Sequence, residues 1–143
     1  MPIKKTAKEL RDIVSRVLVA AGADNANADR VAQALVSSDL SGVVTHGVLH
    51  LSNYVKGIND GHIIPNAKPE TISETETSAL VSGNWTFGFV SAMYGLEIAI
   101  RKAAEHNAAV VSIVQANHIG RLGEYAEVAA EQGMVSLVWS GGQ

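Results

Sequence analysis

Apolar residues recur at helical spacing in the first part of the chain and in short unbroken runs in the second. Thr6 followed by Glu9 has the spacing of a capping box. Behind it Leu10, Ile13, Val14, Val17 and Leu18 make one apolar stripe, which predicts an amphipathic helix ending at Gly22. A second helix, capped by Asn25 or Asn27, is expected to run to about Leu40 and to carry Val31, Ala34, Leu35 and Leu40 inward, its alanines suiting close packing on the first. Ser41 and Gly42 break the pattern. Thr45 is then placed to cap a third helix bearing Val48, Leu51, Val55 and Ile58, with Gly61 at its end.

After Pro65 the period changes. The polar stretch 66–77, with Pro69 and a run of Thr and Glu, reads as a loop or an edge strand, and Ser78–Ser82 as a short strand closed by Gly83 and Asn84. A helix is expected from Trp85 to about His106 with Val90, Met93, Leu96 and Ile100 on one side. The β-branched run 108–114 reads as a strand, 120–132 as a helix stopped by Gly133, and Met134–Trp139 as another buried strand. Strands alternating with helices imply parallel pairing. The expected fold class is therefore α/β: a helical amino-terminal segment over 1–65, then the first part of an α/β domain over 66–143. Gln143 follows closely on an apolar run that needs neighbours on both edges. The economical expectation is a chain stopping partway through a larger domain; the alternative is a partner chain that supplies the neighbours.

Composition narrows the chemistry. With 47% hydrophobic and 17% charged residues the 143-residue chain folds rather than staying disordered. A formal charge of −3 argues against a phosphate-backbone partner, so no nucleic acid is expected. Having no cysteine, the chain offers no disulfide, thiolate metal ligand or thiol nucleophile. No apolar run of membrane-spanning length and no leader pattern is visible, and the expected location is cytoplasmic.

Histidine is the side chain that titrates near neutrality without special help. His46 follows the expected cap Thr45, where the positive end of a helix dipole disfavours the imidazolium; Gly47 leaves the ring approachable. Such a histidine is suited to exchange a proton with a substrate oxygen, or it is simply a surface histidine at a helix end. His118, in Gln115-Ala-Asn-His-Ile-Gly120, directly follows an expected strand, the place where α/β sheets collect ligands. Asn117 is placed to orient its ring, and Gly120 permits a tight turn; the plain alternative is a turn whose polar groups serve the backbone. His46 and His50, four apart, share a helical face, which is also the spacing of a metal pair. No Glu follows the first of them, however, and no metal site is expected. Gly83 to Gly88 lacks the dinucleotide fingerprint and reads as a strand-to-helix connection, and no Gly-x-Ser-x-Gly elbow occurs.

Taken in order, Asp39-x-x-Gly42-x-x-Thr45-His46-Gly47, Tyr54, Gly57, Gly61 and Pro65, then Gly83 to Gly88, then Asn117-His118-x-Gly120, Tyr125, Ala129-Ala130 and Gly133 resemble the malate/L-lactate dehydrogenase family. This is the group of 2-hydroxyacid oxidoreductases with a non-Rossmann cofactor domain, and the resemblance covers nearly the whole chain as the amino-terminal portion of longer enzymes. It implies NAD- or NADP-dependent interconversion of a 2-hydroxy acid and a 2-keto acid, with the main cofactor contacts beyond residue 143; the uncovered apolar run Met134–Trp139 separately leads to the expectation of a homo-oligomer, a homodimer favoured. It implies His46 with Thr45, and His118, as the proton-handling residues, the two histidines approaching one another across a cleft. It implies Tyr54 and His50 in the substrate site, His50 standing where the family pattern has an Arg. Arg grips a carboxylate bidentately and His does not. The competing reading is a non-catalytic fragment or self-associating interaction module.

Overall fold

The computed structural model describes residues 4–141, in two units, Met1–Asn66 and Ala67–Gln143. In the first unit, α1 (Ala7–Ala20) begins with the full capping box: Thr6 Oγ1 accepts from the Glu9 N–H at 3.2 Å, and the Glu9 carboxylate accepts from the Thr6 N–H at 2.8 Å. Gly22 follows the helix at φ +107. α2 (Asn25–Leu40) is capped by Asp24, whose carboxylate accepts from the Asn27 N–H at 2.8 Å, not by Asn25 or Asn27. Asn27 is instead buried in the first turn, its amide donating to the Pro65 carbonyl at 2.8 Å. α1 packs on α2, with Val14 and Leu18 from one and Ala28, Val31, Ala32, Ala34 and Leu35 from the other fully buried.

Two details of that packing depart from the periodicity. Ile13 and Val17 remain about 40% exposed, so the apolar stripe of α1 is wider than its contact. Leu40, expected inside, is 71% exposed. The chain reverses directly after it, with the Val43 N–H on the Ser38 carbonyl and Gly42 at φ +76.

The third helix starts later than expected. Thr45 caps nothing; Val44–His46 and Val48–His50 are two 3₁₀ turns, and α3 runs only over Leu51–Asn59, with Gly61 beyond it at φ +76. Gly47, extended at φ −93 and ψ −155, separates the two turns. The Thr45 hydroxyl turns to its neighbour's imidazole rather than to a backbone N–H in a following turn.

In the second unit, a three-stranded sheet has the order β1–β2–β3. β1 (Glu70–Glu74) pairs antiparallel with β2 (Ser78–Ser82), with a register irregularity between Thr71 and Ser73. β3 (Val110–Val114) pairs parallel with β2, the expected outcome for strands joined by a crossover helix, here α4 (Gly88–His106). Ala79, Val81 and Ile98 form the core, with Tyr94, Val111 and Ile113 against it. α4 begins three residues after the expected start and buries Phe89, Ala92, Gly95 and Ile98, whereas the expected stripe of Val90, Met93, Leu96 and Ile100 is only half-buried. Small residues face the sheet because they allow close approach: a Cβ on Gly95 would stand 2.8 Å from Ile113 Cδ1. The buried Lys102 ammonium clips the β1–β2 hairpin to α4, donating to the Thr75 carbonyl at 2.5 Å and pairing with Glu74 at 2.9 Å.

α5 (Leu122–Glu131) precedes Gly133, which is at φ +74. The segment Met134–Trp139 is not a strand: among the described residues no ladder includes it, and Val135 is 99% and Trp139 75% exposed. Its alternating exposure keeps the two-residue period of an extended chain, but a strand is defined by its neighbour, and the apolar run alone cannot supply one. Among the described residues β3 likewise pairs on one edge only, and Val110 and Val114 are exposed.

Candidate active site

In the first unit the two 3₁₀ turns and the start of α3 bring three candidates into a row. The His46 and His50 ring centroids are 6.3 Å apart, and those of His50 and Tyr54 6.2 Å. The rings stand together although His46 and His50 do not share an α-helical face, the extended Gly47 lying between their two turns. Thr45 Oγ1 lies 3.1 Å from His46 Nδ1, so its hydroxyl fixes the ring edge whichever of the two donates. The Asn53 amide nitrogen lies 3.2 Å from His50 Nδ1 and holds that ring edge. Tyr54 is buried, and that burial pushes its phenol above the ordinary range, so it acts as a neutral hydroxyl near pH 7. Among the described residues no cluster of three metal-ligating side chains occurs.

In the second unit His118 sits on the turn leaving β3. Gln115, directly after the strand, is held at φ +50, and the turn between β2 and α4 carries Asn84 at φ +48 and Trp85 at φ +57. The Trp85 N–H donates to the Gln115 carbonyl at 2.9 Å, tying the two turns together. The Asn117 amide nitrogen donates to the carbonyls of Trp85 and Thr86, each at 2.9 Å. That nitrogen therefore clamps the turn. Gly88 completes the joint: a Cβ there would overlap the carbonyl oxygens of Asn117 and His118. The buried Phe89 ring meets His118 edge to face, 6.3 Å and 83°, and slides beneath Gly120, where a Cβ would come within 2.9 Å of Phe89 Cζ. The Tyr125 hydroxyl donates to the Ile119 carbonyl, and Arg121 grips Glu127 with two bonds of 2.7 and 2.8 Å. The guanidinium holds the Glu127 carboxyl below its ordinary range.

Left-handed backbone at Trp85 and Gln115 had no sequence signal, since neither residue favours it; Asn84, which does, was the only hint. Asp39 was visible only as part of a motif, and its role as a loop ligand required the fold. The space beside Gly83 is taken by the Gln115 carbonyl and Ser91, and that beside Gly88 by the 117–118 carbonyls, so both glycines allow close packing of the turn.

A model of the malate/L-lactate dehydrogenase family matches residues 6–143. Over 138 residues the chain is 32% identical to 2,3-diketo-L-gulonate reductase of Escherichia coli, which covers 96% of this chain and 42% of that protein. It is 37% identical over 129 residues to a malate dehydrogenase of Pyrococcus abyssi, covering 90% of this chain and 36% of the other. The solved malate dehydrogenase of Pyrococcus horikoshii superposes with a TM-score of 0.88 at 36% identity, over 92% of this chain and 38% of that one. The chain thus spans about two-fifths of the length of these relatives.

Proposed function

The chain belongs to the malate/L-lactate dehydrogenase family, and on that premise we propose that it forms the amino-terminal, proton-handling part of an oxidoreductase interconverting a 2-hydroxy acid and a 2-keto acid with NAD or NADP. The observation that carries this reading is the pair of built histidine settings, His46 in a row with His50 and Tyr54, and His118 on the turn after β3. The nicotinamide nucleotide supplies or accepts the hydride when bound, and the greater length of the relatives supports principal contacts for it beyond residue 143.

What these residues do is move and hold protons and bind the acid. An imidazole takes the hydroxyl proton as the 2-hydroxy acid is oxidised, and the imidazolium returns it to the carbonyl oxygen in the reverse direction. His46 is braced for this by Thr45, and His118 by the perpendicular ring of Phe89. Tyr54, neutral, supplies a hydroxyl donor to a substrate oxygen, and His50, held by Asn53, faces the acid's carboxylate. Among the described residues no helix is long and apolar enough to cross a membrane. The acid is small, and the favoured assembly is a homodimer.

The test is an assay of the intact protein with NADH and NADPH against a panel of 2-keto acids that includes oxaloacetate, pyruvate and 2,3-diketo-L-gulonate. His46→Ala or His118→Ala should lower turnover by about 10²–10⁴-fold if that residue is the general acid/base. Losses below about tenfold at both positions would mean that protons are moved elsewhere.

A further inference from the structure

Asp39, the penultimate residue of α2, is a carboxylate at the negative end of a helix dipole, a placement that the helix itself disfavours. What offsets it lies nine residues on. Asp39 Oδ2 accepts from the Val48 N–H at 3.1 Å. The same carboxylate fills the space beside Gly47, where a Cβ would overlap it, with Oδ2 only 2.8 Å away. Gly47 has φ −93, a value open to any residue, so this glycine is required for room and not for its backbone freedom.

The Gly47–Val48 peptide is the joint between the two 3₁₀ turns. The His46 N–H donates to the Val43 carbonyl at 2.9 Å on one side, and the His50 N–H to the Gly47 carbonyl at 3.0 Å on the other. Neither turn is stiff alone, since 3₁₀ bonds are poorly aligned and short runs of them fray. A charged acceptor on a neighbouring helix makes a stronger bond than a neutral one and anchors the joint to a rigid element.

We propose that Asp39 is a positioning residue: bound to the Val48 N–H and seated in the gap at Gly47, it sets the spacing and orientation of His46 and His50. It touches no substrate and acts through the loop. The proposal rests on the reading of His46 as a proton-handling group for its effect on turnover, but not for its effect on the rings.

The test uses four variants of the intact protein: Asp39→Ala, Asp39→Asn, Gly47→Ala, and Asp39→Ala with Gly47→Ala. Asp39→Ala should lower kcat by about 10–10²-fold, the scale for a catalytic group displaced by roughly an ångström. Asp39→Asn keeps an acceptor for the Val48 N–H and should restore most of that loss. Gly47→Ala should be harmful while Asp39 is present and add little once Asp39 is alanine, because the methyl then enters vacated space, and such non-additivity marks direct contact. The imidazole ¹H–¹⁵N resonances of His46 and His50 should shift in Asp39→Ala and Gly47→Ala and return toward the parent positions in Asp39→Asn. These resonances test the positioning role even if the parent protein reduces no 2-keto acid, which would count against the proposed activity alone. Additive losses, or a lower melting temperature with kcat and the imidazole resonances unmoved, would overturn it. Should Asp39→Ala not fold, Gly47→Ala decides between the same outcomes through the same resonances.

Discussion

Replacing Gly88 by alanine tests how the turn carrying His118 is held. The added methyl would overlap the carbonyl oxygens of Asn117 and His118 and stand 2.5 Å from the His118 carbonyl carbon. These are backbone atoms, which cannot swing aside as a long side chain can, so the turn must shift by about an ångström to regain van der Waals distance. Such overpacking costs about 1–3 kcal/mol, and the better helix propensity of alanine returns at most about 1 kcal/mol at the first residue of α4. The net expectation is a loss of about 1–2 kcal/mol. For a unit of this size each kcal/mol lowers the melting temperature by about 4–8 °C. The same ångström displaces His118, and misplacement on that scale reduces turnover by about 10²-fold. Thermal melts and steady-state kinetics on the intact protein would read both quantities. Gly141→Ala, with nothing within 4 Å of the added carbon, is the control. Melting and turnover that match the control would refute the claim that close approach at Gly88 places the histidine turn.

Further expectations concern other joints. Asn117→Ala removes both donors to the Trp85 and Thr86 carbonyls and should destabilise by about 1–3 kcal/mol, with increased protease susceptibility near Trp85; unchanged denaturation midpoints would contradict the clamp. The Lys102 ammonium bonds Glu74 and holds its carboxyl below the ordinary value of 4.5. A depressed folded-state value means that the pair's contribution is complete above pH 4.5 and is lost as pH falls through the lower folded value. Glu74→Gln should therefore flatten the acid limb of the stability profile, and an unaltered limb would show that the pair is not coupled to folding. A polypeptide of these 143 residues expressed alone should self-associate through Val135, Leu137, Trp139 and the open edge of β3. Val135→Lys with Leu137→Glu should shift its sedimentation toward the monomer, and a stable monomer without those changes would count against exposed apolar surface as the cause.

Elements whose causes are local were legible in the amino-acid order alone. The capping box at Thr6 and Glu9 needs only four residues, and the strand Ser78–Ser82 only an apolar run between turn formers; both stand where the pattern put them. The parallel pairing of β2 and β3 follows from the length and hand of a helical crossover, which is again a property of consecutive residues. The histidines could be singled out as candidates, because few side chains suit proton transfer near neutrality and these lie beside glycines and after a strand. Whatever depended on a partner distant in sequence waited for the folded chain. Thr45 looked like a helix cap because nothing near it revealed that the helix start would fold as two 3₁₀ turns, with Asp39 on the Val48 N–H. The clamp made by Asn117 was not visible because the Trp85 and Thr86 carbonyls that its nitrogen meets are more than thirty residues away. Met134–Trp139 has the composition of a strand, yet hydrogen bonding in a sheet belongs to pairs of segments, and no described segment pairs with it. Periodicity reports which face a residue would prefer to bury; only the folded neighbours determine whether that face is covered, and at Leu40 and along Met134–Trp139 it is not.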